Sequence, residues 1–325
     1  MAKFIGRLTR VGVGKETVRG TAVAPAIGVK WVDLAAQTKI ESIRDEEAFG
    51  SIAMGDESTI IKRWAEIVAK MKLHDISIGY FLLGTFGTVN SVEQIAPNTG
   101  VYDHSFSVAN SNQHQSLTIA IKDQNEDIRF PLCMVDSFKV ELDPENYPTA
   151  EVTLMGKEEE TASNTITYQT EVDFLVKQME FKYADDVSGL DAASPVTLVK
   201  NISFEIKKNL YLEYVVGTVT PIDILNQAME VTGSLTLVYD SNTFKDIQNQ
   251  ELAKAFRFDF TNPAVIGVSA NPRLKFDFNK VKLTNYEVTR SPNDIVEQSF
   301  DFEAFYKVSE AEQVTALLVN TQASY

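Results

Sequence analysis

Several groups of residues in this chain are of types that do chemistry. Gly12-Val13-Gly14-Lys15 resembles a phosphate loop. Such a loop needs a glycine, four residues and then Gly-Lys-Ser/Thr, so that backbone amides wrap a phosphate and a hydroxyl meets magnesium. Here Thr9 stands where the first glycine belongs and Glu16 follows Lys15, so the segment reads as a glycine-rich turn between strands. Asp123-Gln124-Asn125-Glu126-Asp127 copies the opening of a calcium loop. The sixth position is Ile128 instead of glycine and the twelfth is Met134 instead of glutamate, which leaves an acidic hairpin turn. His74, His104 and His114 lack the helical i, i+4 spacing of a zinc protease, and no Gly-x-Ser-x-Gly elbow accompanies them. Asp45-Glu46-Glu47 and Glu158-Glu159-Glu160 hold the carboxylates that glycoside cleavage uses, but both occupy polar connecting stretches and read as solvated faces. Cys133 lies in the apolar run Phe130 to Val135 and reads as a buried small hydrophobe. Trp31 and Trp64 fall in strand-like runs and read as packing residues. No catalytic, cofactor-binding or metal-binding residue is assigned.

The elements around these residues belong to a folded protein. The chain has 325 residues, 44% of them hydrophobic, with 19 Phe and 11 Tyr, enough for one large domain or two ordinary ones. Thirty basic residues stand against 45 acidic ones, a net charge of −15, which argues against a surface that grips nucleic acid by neutralising phosphates. The single cysteine excludes an intrachain disulfide and a multi-cysteine zinc site. No run approaches the roughly 18 to 20 apolar residues of a membrane span, and Met1 to Leu8 has no apolar core of a secretory signal. Synthesis and folding in a cytoplasm are expected.

Strand signals dominate. Apolar or β-branched residues recur at every second position in 64–73, 116–121, 150–155, 174–183, 202–206, 231–239, 274–278 and 300–305, the pattern of half-buried antiparallel strands. Helices are expected at 75–83 and 243–256, the second capped by Asn242 or Thr243.

The order of these signals repeats. Phe4 to Leu8 matches the start of the run at Phe174, Ala24-Pro25 matches Ser194-Pro195, and Phe49-Gly50-Ser51-Ile52 matches Val216-Gly217-Thr218-Val219. Leu73 matches Leu237 ahead of each helix, and Phe138 through Pro144 matches Tyr286 through Pro292. The separation falls from 170 at the first proline pair to 148 at the last. A longer insert in the first copy at about 84–103, rich in turn formers, accounts for the drift. The polar stretch Lys157 to Asn164 is the expected joint, giving units at 1–160 and 161–325.

Gly14-Lys15-Glu16-Thr17-Val18-Arg19-Gly20-Thr21, followed by Pro25, resembles the opening of long-tailed bacteriophage tail tube proteins. Val231-Thr232-Gly233-Ser234-Leu235-Thr236-Leu237 before a short helix, and the late strand pair 138–155, continue the resemblance. It implies a mainly β chain of two tandem tail-tube-like sandwich or barrel domains, each with a short flanking helix. It further implies a non-enzymatic virion protein, made in the host cytoplasm, whose sheet joins its neighbours' sheets into rings. Rings are hexameric for single-domain members and trimeric for duplicated ones, and they stack head to tail. The other partners it implies are the tape measure protein, tail terminator and tip proteins, and DNA that crosses the lumen without specific binding. The acidity fits a wall that repels phosphate, and equally a means of keeping free subunits soluble. A β-sandwich binding module for carbohydrate or adhesion is a second reading, a phage hydrolase a third, and another tail or baseplate protein remains within the first.

Overall fold

The computed structural model describes residues 3–48, 50–53 and 55–325. Met1, Ala2 and Phe49, part of the sequence readings above, lie outside the described residues. The earlier run of strands is β1 (Arg10–Lys15), β2 (Ile27–Val29), β3 (Asp33–Arg44), β4 (Ser58–Lys72), β5 (Gly87–Glu93), β6 (Tyr102–Val108), β7 (Leu117–Lys122), β8 (Asp127–Leu142), β9 (Thr149–Gly156) and β10 (Glu160–Thr161). The later run is β11 (Met179–Ala184), β12 (Val199–Lys207), β13 (Tyr211–Glu213), β14 (Asp223–Leu225), β15 (Glu230–Val238), β16 (Lys254–Thr261), β17 (Arg273–Thr289), β18 (Glu297–Ala304) and β19 (Val314–Asn320). Helix α1 (Ile78–Phe86) follows β4, and α2 (Thr243–Asn249) follows β15. The chain is mainly β, as expected, and every ladder is antiparallel. No described helix is long and apolar enough to cross a membrane.

Eight strands form one continuous sheet in the order β3-β4-β9-β8-β12-β15-β18-β17. β8 and β17 each serve two layers. Their first halves turn away into outer layers, β2-β1-β7-β8-β10 and β11-β16-β17-β19-β6-β5. Each long strand shifts register near its bend, β8 between Val135 and Ser137 and β17 between Thr284 and Glu287. Asn285 takes a φ of 54° at the second bend, a conformation asparagine tolerates better than most residues. Between the layers lies an aromatic core. Phe204 stacks on Phe258 at 5.4 Å and meets Phe276 at 5.0 Å, while Phe138 of the earlier run reaches Phe276 at 6.2 Å.

The two runs pair in the same order. β1–β7–β8–β9–β4–β3 recurs as β11–β16–β17–β18–β15–β12. A short 3-10 turn precedes β1 and another precedes β11, so 174–178 is not the strand that alternation suggested, and its match at 4–8 carries the same kind of turn.

Several local expectations are corrected. The stretch 12–15 is the second half of β1, not a turn; its glycines admit the chain at 24–25, since a Cβ on Gly12 would lie 2.6 Å from Pro25 Cβ. The first helix runs 78–86, so Gly84 is helical, and the insert is the β5–β6 hairpin with a tip at 94–101. The second helix stops at Asn249, and Phe256 lies on β16. Apart from these corrections, the expected joint at 157–164 lies along the earlier run, where β10 pairs with β8 and buried Asn164 bonds to Asp127 and Arg129.

Candidate functional site: two free edges of one sheet

The residues with chemical potential lie apart. His74 Nδ1 is 2.9 Å from Asp173 Oδ1, His104 sits between Ser91 and Asn320, and His114 between the carbonyls of Thr85 and Ala109. Burial holds all three below the usual imidazole range. Among the described residues no group of three or more His, Cys, Asp or Glu could hold a metal ion. Asp123 closes the β7–β8 turn by accepting from the amides of Asn125 and Glu126, as an acidic hairpin turn should. Cys133 is fully buried, and burial raises its thiol well above the ordinary range. Asp45 to Glu47 lie on the exposed β3–β4 tip, and Glu158 pairs with Arg63 at 3.3 Å. Trp31 donates to Thr9 O, and Trp64 is half-buried on β4.

The Gly-x-Glu-Thr-x-x-Gly-Thr segment has a structural role. Glu16 is buried, and its carboxylate accepts from Gly20 N (2.7 Å), Ser116 Oγ (2.6 Å), Thr118 Oγ1 (3.0 Å) and Leu132 N (2.7 Å). Four donors satisfy a carboxylate that burial would otherwise penalise heavily. Gly20 turns the chain at φ 75°. Arg19 then reaches Asp223 at 2.6 Å and the carbonyls of His114 and Ile224, fastening the β13–β14 hairpin over the earlier run. The apolar side of that seat is Leu132, Met134 and Ile224 with Met155, Leu210 and Leu212.

The unsatisfied feature is the edge. Among the described residues β3 pairs only with β4, and β17 beyond Val281 pairs only with β18. An open edge is a row of donors and acceptors for another strand. These two edges are the positional counterparts of strands already joined inside the chain, because β12 pairs with β8 through Ile202↔Leu142, Ser203↔Glu141 and onward to Lys207↔Ser137. The match of Phe138 through Pro144 with Tyr286 through Pro292 sets Glu141 level with Thr289. From that anchor the ladders carry the correspondence across each run, to Thr149 and Glu297, then to Lys72 and Val238, and at the edge to Ala35 and Ser203.

One face of the eight-stranded sheet is buried and the other is polar. On the polar face the earlier run balances its charges: Lys39 with Glu66 at 3.4 Å, Lys70 with Glu141 at 3.0 Å and Lys139 with Glu141 at 2.7 Å. Lys139 and then Lys70 hold the Glu141 carboxyl below its usual range. The later run is more acidic there. Glu205, Glu230, Glu287, Asp301 and Glu303 have no basic partner within ion-pair distance among the described residues.

The family model described as phage tail tube protein matches residues 6–304. No curated protein matches the chain. The match covers most of the sequence, so the chain belongs to the phage tail tube protein family and is a structural component of a phage tail.

Proposed function

From membership in the phage tail tube family we infer that this chain is a major tube subunit, whose copies join edge to edge into rings that stack around a channel for DNA. One observation carries the reading. The two free edges, β3 and β17, are the counterparts of β12 and β8, which already form a ladder within the chain. A second copy that repeats this internal ladder sets Ala35 opposite Thr289 and continues the sheet. The repeated pairing order supports two tube units per chain, at 1–160 and 161–325. Three copies then supply six units and 24 strands (3 × 8) to one closed barrel, which removes every edge of that sheet. Head-to-tail contacts between such rings do not close, so they propagate as a tube.

The polar face then lines the bore, and its uncompensated carboxylates repel phosphate so that the duplex passes without being held. The role is structural, not enzymatic. The tape measure protein and the tail terminator and tip proteins are the partners this reading assigns. Negative-stain microscopy of the concentrated chain is expected to show hollow tubes or rings, and the mass of isolated rings three subunits, not six. A chain that stays monomeric and binds glycan overturns the reading in favour of a β-sandwich binding module.

A further inference from the structure

We propose that Ile40 of one copy is a knob that enters the pocket between α2 and β17 of the next, the counterpart of the seat that Lys208 fills inside the chain. The inference rests on the edge-to-edge reading above and adds a side-chain contact that backbone pairing does not require.

Inside the chain the seat is complete. Lys207 stands opposite Ser137, and the next residue, Lys208, donates its amide to Asp136 O at 2.8 Å. The Lys208 side chain is 1% exposed and runs under the end of α1, where Nζ donates to Gly84 O. The corresponding place in the later run is vacant. Ser137 faces Thr153 and Thr284 faces Asp301, which makes Thr284 the counterpart of Ser137. Beside Thr284 a cavity of about 160 Å³ opens between α2 and β17; Ile247, Leu252, Leu283 and Phe305 give it an apolar wall, and charged residues such as Glu251 and Lys282 also line it.

The residue that would meet this cavity follows from the same ladders. Lys207 faces Glu230 and Lys39 faces Trp64, and these partners correspond, so Ile40 takes the place of Lys208. In the isolated chain Ile40 is 56% exposed, although it is apolar and β-branched. The difference in residue type has a physical reason. Gly84 O at the end of α1 needs a donor, which Lys208 supplies. At the end of α2 the carbonyls of Asp246, Ile247 and Gln248 already accept from Gln250, Leu252 and Glu251. No carbonyl among these three needs a cation, so an apolar side chain is the better filling.

Two cysteine pairs test this in the full-length chain with a short bis-maleimide, since native Cys133 is fully buried. One pair, Ile40→Cys with Leu252→Cys, reports the knob; the other, Ala35→Cys with Thr289→Cys, reports the ladder. Covalent oligomers are expected from both pairs in assembled material. Oligomers from the ladder pair alone overturn the knob and leave edge pairing standing. Oligomers from neither pair in assembled rings overturn edge pairing and the knob with it. Ile40→Asp is expected to abolish most ring formation while the monomer keeps its far-UV spectrum; normal assembly of that variant also overturns the knob.

Discussion

Lys208 Nζ donates to the carbonyl oxygen of Gly84, 2.6 Å away and 124 positions earlier in the chain. The contact completes the end of α1. A helix leaves its last four carbonyls without internal partners. Here Leu83 O accepts from Gly87 N, Phe86 O from Ala109 N, Gly84 O from Lys208, and Thr85 O lies 3.1 Å from His114 Nδ1. Gly87, at φ 86°, provides the left-handed turn that ends the helix. Lys208 thereby couples the later run of strands to the helix of the earlier one.

Replacing Lys208 with Met keeps the aliphatic stem and orphans the Gly84 carbonyl. A buried acceptor left unpaired costs about 1–3 kcal/mol, to be read from urea unfolding near pH 10, where the folded-state lysine is neutral and little charge penalty offsets the loss. Burial pushes the Lys208 ammonium down to about 7. An unfolded lysine holds its proton to about 10.4. Between these values the unfolded chain binds the extra proton, so wild-type stability should rise from pH 7 toward pH 9. Lys208→Met should lack that rise. Parallel pH profiles for the two proteins would exclude the titration.

Asp75 holds the linker between the two runs against the start of α1. Its Oδ1 accepts from Val172 N at 2.7 Å, and its own amide donates to Val172 O. Burial raises the Asp75 carboxyl to about 6. The folded protein therefore keeps a proton that the unfolded chain loses near pH 3.9. This contribution is fully present below about pH 4 and is lost as pH rises through 6. Asp75→Asn preserves an acceptor for Val172 and removes the buried charge. It should stabilise the protein at pH 7 by on the order of 2 kcal/mol and flatten the profile between pH 4 and 6. Equal or lower stability of the variant at pH 7 would count against a charge penalty at this position.

Gly79 of α1 lies beneath the ring of Tyr325. A Cβ at this position would fall 2.2 Å from Tyr325 Cζ, and that ring is fixed edge-on to Tyr80 at 5.1 Å and to His104 at 4.8 Å. Glycine to alanine within a helix ordinarily gains close to 1 kcal/mol. Here the sign should reverse, with a loss of about 1–3 kcal/mol from overpacking. In a Tyr325→Ala background the same change should become neutral or favourable, a coupling that a double-mutant cycle in urea measures directly.

Alternation made β4, β9, β12, β15 and β18 legible, because each buries one face, while β7 showed the same pattern of residue types although Leu117 to Ile121 are all buried. β3 escaped it: Asp33-Leu34-Ala35-Ala36-Gln37 is an edge strand with small side chains and neither face deeply buried. The second helix was read too long because Phe256 fits a helical spacing, whereas Phe256-Arg257-Phe258-Asp259-Phe260 alternates on β16 with all five residues buried. The two charges at its centre find partners on β17, since Arg257 Nε donates to Asp277 at 2.6 Å and Arg273 Nε donates to Asp259 at 2.9 Å. Leu73 and Leu237 share a motif, yet with Glu141 set level with Thr289 the ladders put Met71, opposite Ala150, level with Leu237, opposite Gln298. A two-residue slip keeps the same face, so composition alone cannot detect it. Lys208 was illegible because a lysine reads as surface unless its distant acceptor is known.

The free edges themselves can be tested by charge. Ala35 and Thr289 are both exposed on the isolated chain, so substitutions there should leave monomer stability within about 0.5 kcal/mol of wild type. Between copies they become direct neighbours across a ladder if β3 meets β17 in the register of β12 on β8. Like charges directly opposite in a sheet destabilise it, and opposite charges stabilise it by about 0.2–1 kcal/mol. Ala35→Glu combined with Thr289→Glu should therefore raise the concentration at which rings form. Ala35→Glu combined with Thr289→Lys should restore it, because the effect repeats at every junction of a closed ring. Sedimentation across a concentration series at low salt gives the comparison, and added salt should bring the two variants together as screening increases. If both variants assemble like wild type at low salt, the edges do not meet in this register.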